Sequence, residues 1–437
     1  MTSWRKWLTV LPAAALVLTA CGGDEPTEEP EPTEEASEEE TEEPAEEETE
    51  EEAAPEEEGE GEEIARADAD LVIWADDTRA PVIEPFATQF GEEQGITVAV
   101  QEVPFDQIRD LVSVQGPAGQ GPDVFIGAHD WLGQLASDGA VAPLDLGGAA
   151  GDYLEVATQA FNYDGTNYGL PYSIENIALI RNTELAPERP ETLEQMREMG
   201  LAAVEAGDAD IAVGWQQPDP FHNYWVVTGA GGYVFGQNDD GSYVADDLGL
   251  DTEGGLRAAE LFGEMSDEGF ISQDVDYDVM IESFAAGRTP FAVTGPWALA
   301  SFPDVDYVVE PLPTVDGNPA GPFVGVQGFM VSAFAENDLA ARTFVLDFMG
   351  TEEAQIGLFE AGARPPALQA ALDQVADDPD VAGFGAAGES GRPMPAIPQM
   401  GSVWEAWTNA YTNILSGNDP QEAFTEASEQ IRTLTDL

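Results

Sequence analysis

The chain has 437 residues and a formal net charge of −72, with 86 acidic residues against 14 basic ones. Lys6 is its only lysine. A chain this acidic has no basic face to neutralise phosphates, so nucleic acid is excluded as a partner. The lack of any further lysine also excludes a phosphate-binding loop lysine and a Schiff-base lysine.

The first residues have the pattern of a secretory leader. A basic pair precedes an apolar run over residues 8–18, which is shorter than the roughly 20 residues that a bilayer span needs. The run ends in Leu18-Thr19-Ala20-Cys21-Gly22, which is similar to a bacterial lipoprotein cleavage box. We therefore expect a signal peptide over residues 1–20 and lipid on the thiol of Cys21. The alternative is an ordinary signal peptide followed by a chance cysteine.

A strongly acidic tract follows the cysteine. Residues 22–63 contain 24 acidic side chains and almost no apolar ones. Such a segment cannot bury enough apolar surface to offset its ordering entropy, and its like charges favour extension. We expect residues 21–64 to form a disordered tether that holds a folded domain off the outer face of the cell membrane. The alternative is an acidic tail that binds a partner.

The rest of the chain is also acidic, with 62 acidic residues against 12 arginines. A surface of this charge repels itself, and salt screens that repulsion. We therefore expect the unfolding temperature of the purified body to be higher in about 2 M than in about 0.1 M salt. Equal unfolding temperatures in a calorimetric comparison would contradict the hypothesis of a salt-adapted protein.

Short apolar runs alternate with helical periodicity in the first part of this body. The pattern predicts strands over 71–74, 96–100 and 123–126, each followed by a helix, and further strands over 211–214, 291–294, 307–309 and 329–331. The last hundred residues predict helices over 352–360, 368–375, 403–415 and 421–434. The alternating order favours an α/β fold with a mostly parallel sheet covered on both faces.

Charged and aromatic residues follow four of these predicted strands. In open α/β sheets, ligands bind outside the carboxyl ends of the strands. Carboxylates accept hydrogen bonds from hydroxyl groups, and flat aromatic rings suit the C–H faces of a pyranose. The pattern therefore predicts a carbohydrate cleft built from residues 76–79, 127–131, 214–222 and 295–297.

No metal or cofactor is expected. His129 and His222 are the only histidines, and we expect them to make structural hydrogen bonds near the cleft. The aspartates Asp274, Asp276 and Asp278 alternate as in a calcium loop, but the required glycine and final acid are missing. A solvated, strand-like edge is the favoured interpretation there.

An ordered set of motifs resembles the maltose/maltodextrin-binding proteins, a group of extracellular solute-binding proteins of ABC importers. The motifs that carry the resemblance are Gly121-Pro122-Asp123-Val124, Gly231-Gly232-Tyr233, Gly295-Pro296-Trp297, Leu312-Pro313-Thr314 and Met394-Pro395-Ala396-Ile397-Pro398. The resemblance implies an α/β protein with the two-lobed, type II periplasmic-binding-protein fold. Its discontinuous lobes would comprise residues 65–173 with 327–375 and 174–326 with 376–437. The hinge crossings would lie near 172–174, 322–327 and 373–379.

The resemblance also implies ligand contacts. Thr78 or Arg79 stands in place of a family lysine, Trp131 in place of an arginine, and Glu405 in place of a tyrosine. Gly127 stands where the family has a tryptophan, so Trp131 would supply a stacking face from another angle. The implied ligand residues are Asp77, Arg79, Asp130, Trp131, Glu175, Asp219, Phe221, Trp297, Trp404 and Glu405. Trp407 is expected to be packing.

The function implied by the resemblance is capture of a maltose- or maltodextrin-type oligosaccharide and delivery to the permease subunits of an ABC transporter. The protein would be a monomer without catalytic activity, anchored through Cys21. One alternative is a different oligosaccharide, such as trehalose or cyclodextrin. A second is a glycoside hydrolase, which needs two carboxylates about 5–10 Å apart. A third is a structural or adhesive surface protein, which would show no saturable binding of a small ligand.

Overall fold

The computed structural model describes residues 65–238 and 242–435. The predicted signal peptide, Cys21 and the acidic tether lie outside these residues. Within them, no helix combines the length and the apolar character that a membrane crossing demands.

The strands, in chain order, are β1 (Leu71–Ala75), β2 (Val98–Glu102), β3 (Val124–Ala128), β4 (Asn162–Tyr163), β5 (Thr166–Asn167), β6 (Gly169–Asn176), β7 (Ala178–Asn182), β8 (Gly214–Trp215), β9 (Phe235–Gln237), β10 (Tyr243–Leu248), β11 (Phe291–Thr294), β12 (Tyr307–Glu310), β13 (Phe323–Val331) and β14 (Arg392–Pro393).

The α-helices are α1 (Ala80–Gln94), α2 (Phe105–Gln115), α3 (Leu132–Ser137), α4 (Glu155–Ala160), α5 (Leu193–Ala206), α6 (Pro220–Gly229), α7 (Glu253–Asp267), α8 (Tyr277–Ala285), α9 (Asp338–Arg342), α10 (Glu352–Gly362), α11 (Gln369–Val375), α12 (Pro379–Gly388), α13 (Val403–Leu415) and α14 (Pro420–Leu434). A π-helix spans Thr343–Met349, and 3₁₀ turns include His129–Trp131 and Pro296–Ser301.

The first sheet has the strand order β2-β1-β3-β13, and both β14 and β6 also pair with β13. β1 runs parallel to β2 and β3, whereas β13 runs antiparallel to β3 and β6. Every residue of β1 and β3 is buried, as expected for strands covered on both faces. Helix α1 packs on β2, and α2 packs on β3 and β1.

The second sheet has the order β12-β7-β11-β8. β7 runs antiparallel to β11 and β12, and only β8 and β11 are parallel. The prediction of a mostly parallel sheet is therefore wrong for this sheet and for the β13 side of the first. Ile177 alone separates β6 from β7, so the chain passes from the first sheet to the second without an intervening helix.

Two of the predicted hinge crossings lie beside each other in the first sheet. Ile174 pairs with Val326, and Ser173 pairs with Gln327. The third predicted crossing runs from the end of α11, which packs on α10, to the first residue of α12, which packs on β12 and β7. The lobe boundaries given above stay a prediction.

Most other elements match the predicted positions, with two corrections. The strand predicted over 211–214 is confirmed only at its last residue, because the paired residues are Gly214 and Trp215. The strand-like edge predicted around Asp276 is wrong. Asp276 is the N-cap of α8, where its Oδ1 accepts a hydrogen bond of 2.9 Å from the amide of Val279. A side-chain oxygen at this position satisfies an amide that the first helical turn leaves free.

Candidate functional site

One cavity of about 480 Å³ lies where the four predicted strand ends come together. This volume falls in the usual range of about 300–1,000 Å³ for small-molecule sites. Nine of the ten predicted ligand residues line it: Asp77, Arg79, Asp130, Trp131, Glu175, Asp219, Phe221, Trp297 and Trp404.

Glu405 is the predicted ligand residue that does not line this cavity. It is exposed on α13, whereas Trp404 and Thr408 both line the cavity. Residues four apart share a helix face, but the next residue along is turned away. Contact of Glu405 with a ligand stays a prediction.

The loop after β1 forms one charged wall of the cavity. Arg79 donates from Nη1 to Asp76 Oδ2 (2.6 Å) and from Nε to the hydroxyl of Tyr172 (2.9 Å). Its Nη2 lies 3.4 Å from Oε2 of Glu175. Burial acts to lower the pKa of Arg79, but Tyr172 and the two carboxylates raise it above the ordinary value. The guanidinium is therefore a fixed positive charge with much of its donor capacity already used.

A second arginine, Arg364, completes this ion cluster. Its Nε lies 2.9 Å from Glu175 Oε1, although the two atoms are not aligned for a hydrogen bond. Its Nη2 donates to the hydroxyl of Thr78 (2.7 Å), which in turn donates to Asp76 Oδ1 (2.6 Å). The two arginines hold Glu175 at the cavity wall by charge-assisted contacts.

Asp130 lines the cavity, and one of its carboxylate oxygens is unpaired among the described residues. It follows β3 in the 3₁₀ turn and is buried. Its Oδ2 accepts a hydrogen bond of 3.2 Å from Trp404 Nε1, whereas Oδ1 has no partner among the described residues. Burial raises the pKa of Asp130 to about 6, although Arg109 acts to lower it. A buried acceptor without a donor suits a hydroxyl group of a ligand.

Replacing Asp130 with asparagine is expected to stabilise the ligand-free protein and weaken ligand binding. The pKa of about 6 in the folded protein lies above the ordinary aspartate value of 3.8. Ionisation of this carboxyl therefore costs stability as pH rises from 3.8 towards 6, and the full cost is present above 6. At pH 8 this cost is about 3 kcal/mol at most, because each tenfold change in proton affinity corresponds to about 1.36 kcal/mol.

This expectation is checked by measuring the melting temperatures of wild type and Asp130→Asn by calorimetry between pH 4.5 and 8, at intervals of about one pH unit. The variant should melt higher than wild type at pH 8, and most of the difference should disappear towards pH 4.5. A difference that is independent of pH would contradict it. Asp304 is exposed, so Asp304→Asn is the control and should leave the melting temperature at pH 8 close to that of wild type.

The turn between β8 and α6 supplies Asp219. Pro220 begins α6, and the Asp219 side chain caps it by accepting from the His222 amide (3.1 Å). Its other oxygen accepts from Gln216 Nε2 (2.8 Å). Burial acts to raise the pKa of Asp219, but His222 outweighs burial and leaves it lowered. Asp219 is therefore an ionised acceptor with both oxygens already in use.

The two histidines differ in their hydrogen bonding. His129 accepts from the amide of Val326 (3.1 Å) at Nδ1 and donates from Nε2 to the carbonyl of Met394 (3.0 Å). Burial lowers its pKa to about 4, so the structural role predicted for it is confirmed. For His222 it stays a prediction. Its buried ring nitrogens have no aligned partner among the described residues, although Nδ1 lies 3.2 Å from Asp219.

Two groups of aromatic rings face the cavity. Near the β3 end, the ring of Trp131 lies 4.8 Å from that of Phe105, and the Arg79 guanidinium lies 4.7 Å from the same Phe105 ring. On the other side, Phe221 lies 6.2 Å from Trp297. Phe323 lies behind this second group, 6.2 Å from Phe221 and 6.0 Å from Trp404. Trp407 is fully buried in the core, as predicted.

Sequence reasoning missed several lining residues. Arg364 follows α10, Gln327 lies in β13, and Tyr277 begins α8. None of them follows a strand of the β-α pattern, so strand ends could not identify them. Arg364 had one available signal, since arginine is rare in so acidic a chain. Gln327 matters chemically, because its buried Oε1 also lacks a partner among the described residues.

A family model described as bacterial extracellular solute-binding protein matches residues 86–383. The chain belongs to this family. Solute-binding proteins that resemble it include the maltotriose-binding protein of Pyrococcus abyssi (strain GE5 / Orsay), which is 32% identical over 344 residues. That match covers 75% of this chain and 73% of the relative. The galactooligosaccharide-binding protein of Bacillus subtilis (strain 168) is 28% identical over 379 residues, covering 83% and 88%.

A solved structure also matches. The maltotriose binding protein of Thermus thermophilus, bound with maltotriose, aligns with a TM-score of 0.78 at 29% identity. The alignment covers 83% of this chain and 99% of that chain. This solute-binding protein therefore has the two-lobed, type II periplasmic-binding-protein fold that the resemblance implied.

Proposed function

We propose that this solute-binding protein captures a maltose- or maltodextrin-type oligosaccharide outside the cell for an ABC importer. One observation carries the proposal. The cavity combines aromatic rings with buried acceptors, Asp130 Oδ1 and Gln327 Oε1, that lack donors among the described residues. A sugar supplies both complements, because its hydroxyl groups donate hydrogen bonds and its C–H faces pack on aromatic rings.

The energetics are adequate for such a ligand. A micromolar dissociation constant corresponds to about −8 kcal/mol, and hydrogen bonds to charged groups contribute about 1.5–3 kcal/mol each. Contacts with Asp77, Asp130 and Glu175, together with packing on Trp297 and Trp404, reach that range. A ligand that contacts both lobes at once would favour the closed arrangement, because it binds that state better.

A thermal-shift panel tests the proposal. The mature chain is heated with maltose, maltotriose, trehalose, cyclodextrin, xylooligosaccharides and galactooligosaccharides. A free ligand concentration of about 100 times the dissociation constant stabilises the folded state by about 2.7 kcal/mol. We expect maltotriose or a longer maltodextrin to raise the melting temperature most. No shift with any saccharide would contradict the proposal.

A galactooligosaccharide is the second candidate ligand. It is favoured by the Bacillus subtilis relative, whose match covers 83% of this chain. Preference for it in the panel would keep the importer function and replace the sugar.

Absence of catalysis belongs to the proposal as well. Glu175 lies against two arginines and Ser173. Because these partners contact both of its carboxylate oxygens, Glu175 is suited to holding a ligand and not to acting as a catalytic nucleophile. Incubation with maltooligosaccharides and measurement of released reducing ends tests this point. Sustained turnover would favour the glycoside hydrolase alternative.

The remaining parts of the proposal concern location and partners. We propose lipid attachment at Cys21, a tether over residues 21–64, and delivery of the sugar by a monomer to the membrane permease. Replacing Cys21 with serine should release the protein from the membrane fraction into the medium. Retention of this variant in the membrane would contradict the anchor.

A further inference from the structure

Two tryptophans that line the cavity each lie directly against a glycine at a strand end. The six-membered ring of Trp131 covers the Cα of Gly127, near the end of β3. The corresponding ring of Trp297 covers the Cα of Gly295, which follows β11. The two strands belong to different sheets, so the same arrangement occurs twice, once on each sheet.

Neither glycine has room for a side chain. A Cβ at Gly127 would overlap Cζ3 and Cε3 of Trp131, and a Cβ at Gly295 would overlap Cζ3 and Cη2 of Trp297. The distance from each added Cβ to the nearest ring carbon is far below the 3.0 Å that real Cβ atoms keep from their neighbours. Neither Gly127 nor Gly295 has a positive φ, so the backbone conformation alone does not require glycine at these positions. The contact with the ring is therefore what a substitution would disturb.

Displacement of Trp131 would have consequences beyond its own ring. Trp131 is 6% exposed, and its ring packs on the ring of Phe105. The guanidinium of Arg79 in turn lies over that Phe105 ring. Arg79 holds Glu175 at the cavity wall. Close packing leaves little space for the ring to move except into the cavity.

We propose that Gly127 and Gly295 are specificity-determining positions. By leaving room for Trp131 and Trp297 to lie against the strand ends, they set the width of the cavity and hence the size of saccharide that it accepts. This inference rests on the proposed function, because it takes the cavity as the saccharide site. Each glycine acts through its tryptophan as a positioning residue.

A double-mutant cycle tests the coupling. Gly127→Ala should lower affinity for the preferred oligosaccharide about tenfold or more, and by a larger factor for longer members of the series, because the displaced ring narrows the cavity. In a Trp131→Ala background, Gly127→Ala should change affinity less than about twofold, since no ring remains to displace. An equal factor in both backgrounds would overturn the proposal.

Gly328→Ala is a matched control. Gly328 pairs with Gly127 across β13 and β3, and its Cβ would overlap the buried ring of Phe161, which does not line the cavity. This variant should lose stability as Gly127→Ala does but keep the same order of affinities for short and long saccharides. A change of order in this control would show that core disturbance alone alters selectivity, and would overturn the proposal.

A ligand-free measurement separates this inference from the function. With 5-fluorotryptophan incorporated, the ¹⁹F resonance that disappears in Trp131→Phe reports on that ring. It should shift in Gly127→Ala and remain in place in Gly328→Ala. An unmoved resonance would overturn the positioning role of Gly127 even if sugars bind, whereas failure of wild type to bind any saccharide would overturn the proposed function and the specificity role together.

Folding failure is also informative. If Gly127→Ala does not fold, Gly127→Ala/Trp131→Ala should fold, because the overlap is gone. Failure of both would overturn the assignment. The same cycle at Gly295 and Trp297 should give the same result, because the ring of Trp297 lies on Gly295 in the same way.

Discussion

Replacing Trp404 with alanine is expected to lower affinity for the preferred saccharide more than tenfold. Trp404 is half-buried at the cavity and offers an aromatic ring to the ligand. Its Nε1 also donates to Asp130 Oδ2, so the variant removes the side-chain donor that this carboxylate has among the described residues. Trp297→Ala should have a similar effect through loss of the opposite ring. A tenfold loss corresponds to about 1.4 kcal/mol, which the loss of one aromatic contact readily accounts for.

Titration calorimetry with wild type and both alanine variants measures these losses. Trp407→Phe is the control, because Trp407 lies on the same helix but is fully buried away from the cavity. The control should lower the melting temperature and leave the dissociation constant unchanged. An unchanged dissociation constant in both alanine variants would remove the aromatic-platform assignment.

Replacing Arg79 with methionine is expected to have the largest effect on stability. The change leaves Asp76 without its closest cation and takes one of two from Glu175. Both carboxylates are buried. Removing one partner from a buried ion pair costs about 3–5 kcal/mol, because the remaining charge is neither hydrated nor compensated.

Calorimetric melting temperatures compare Arg79→Met with Arg288→Met. Arg288 pairs with Asp210 on the surface, with side chains that are 61% and 49% exposed, and such pairs contribute about 1 kcal/mol or less. Adding Asp76→Asn to Arg79→Met should recover part of the loss, since it removes one uncompensated charge. Equal melting temperatures of the two arginine variants would show that the buried cluster does not stabilise the fold.

The strand ends explain why so much of the candidate site could be predicted. Asp130 and Trp297 each follow an apolar run, and the β-α pattern brings such positions to one edge of a sheet. The resemblance added Glu175 and Trp404, which no strand-end rule identifies. Arg364 was missed because it lies in the loop after a helix, where periodicity carries no information about the cavity.

Side-chain pairing could not be predicted in the same way. Asp219 and Asp130 are both acids beside strand ends. Asp219 has both oxygens in use, yet Asp130 has a buried oxygen without a partner in the described part of the chain. The difference arises because Asp219 caps a helix, whereas the side-chain donor that Asp130 has among the described residues is the indole of Trp404. Burial then raises the pKa of Asp130, whereas His222 leaves the pKa of Asp219 lowered.

The amino-acid sequence alone determined the charge of this protein, the alternation of its elements and the residue types at its strand ends, because these depend on composition and local periodicity. Tertiary structure alone decided which strands run antiparallel, which arginines hold Glu175, and that the rings of Trp131 and Trp297 lie on glycines. Those features depend on atoms far apart in the chain meeting within a few ångströms, a distance that no local pattern encodes.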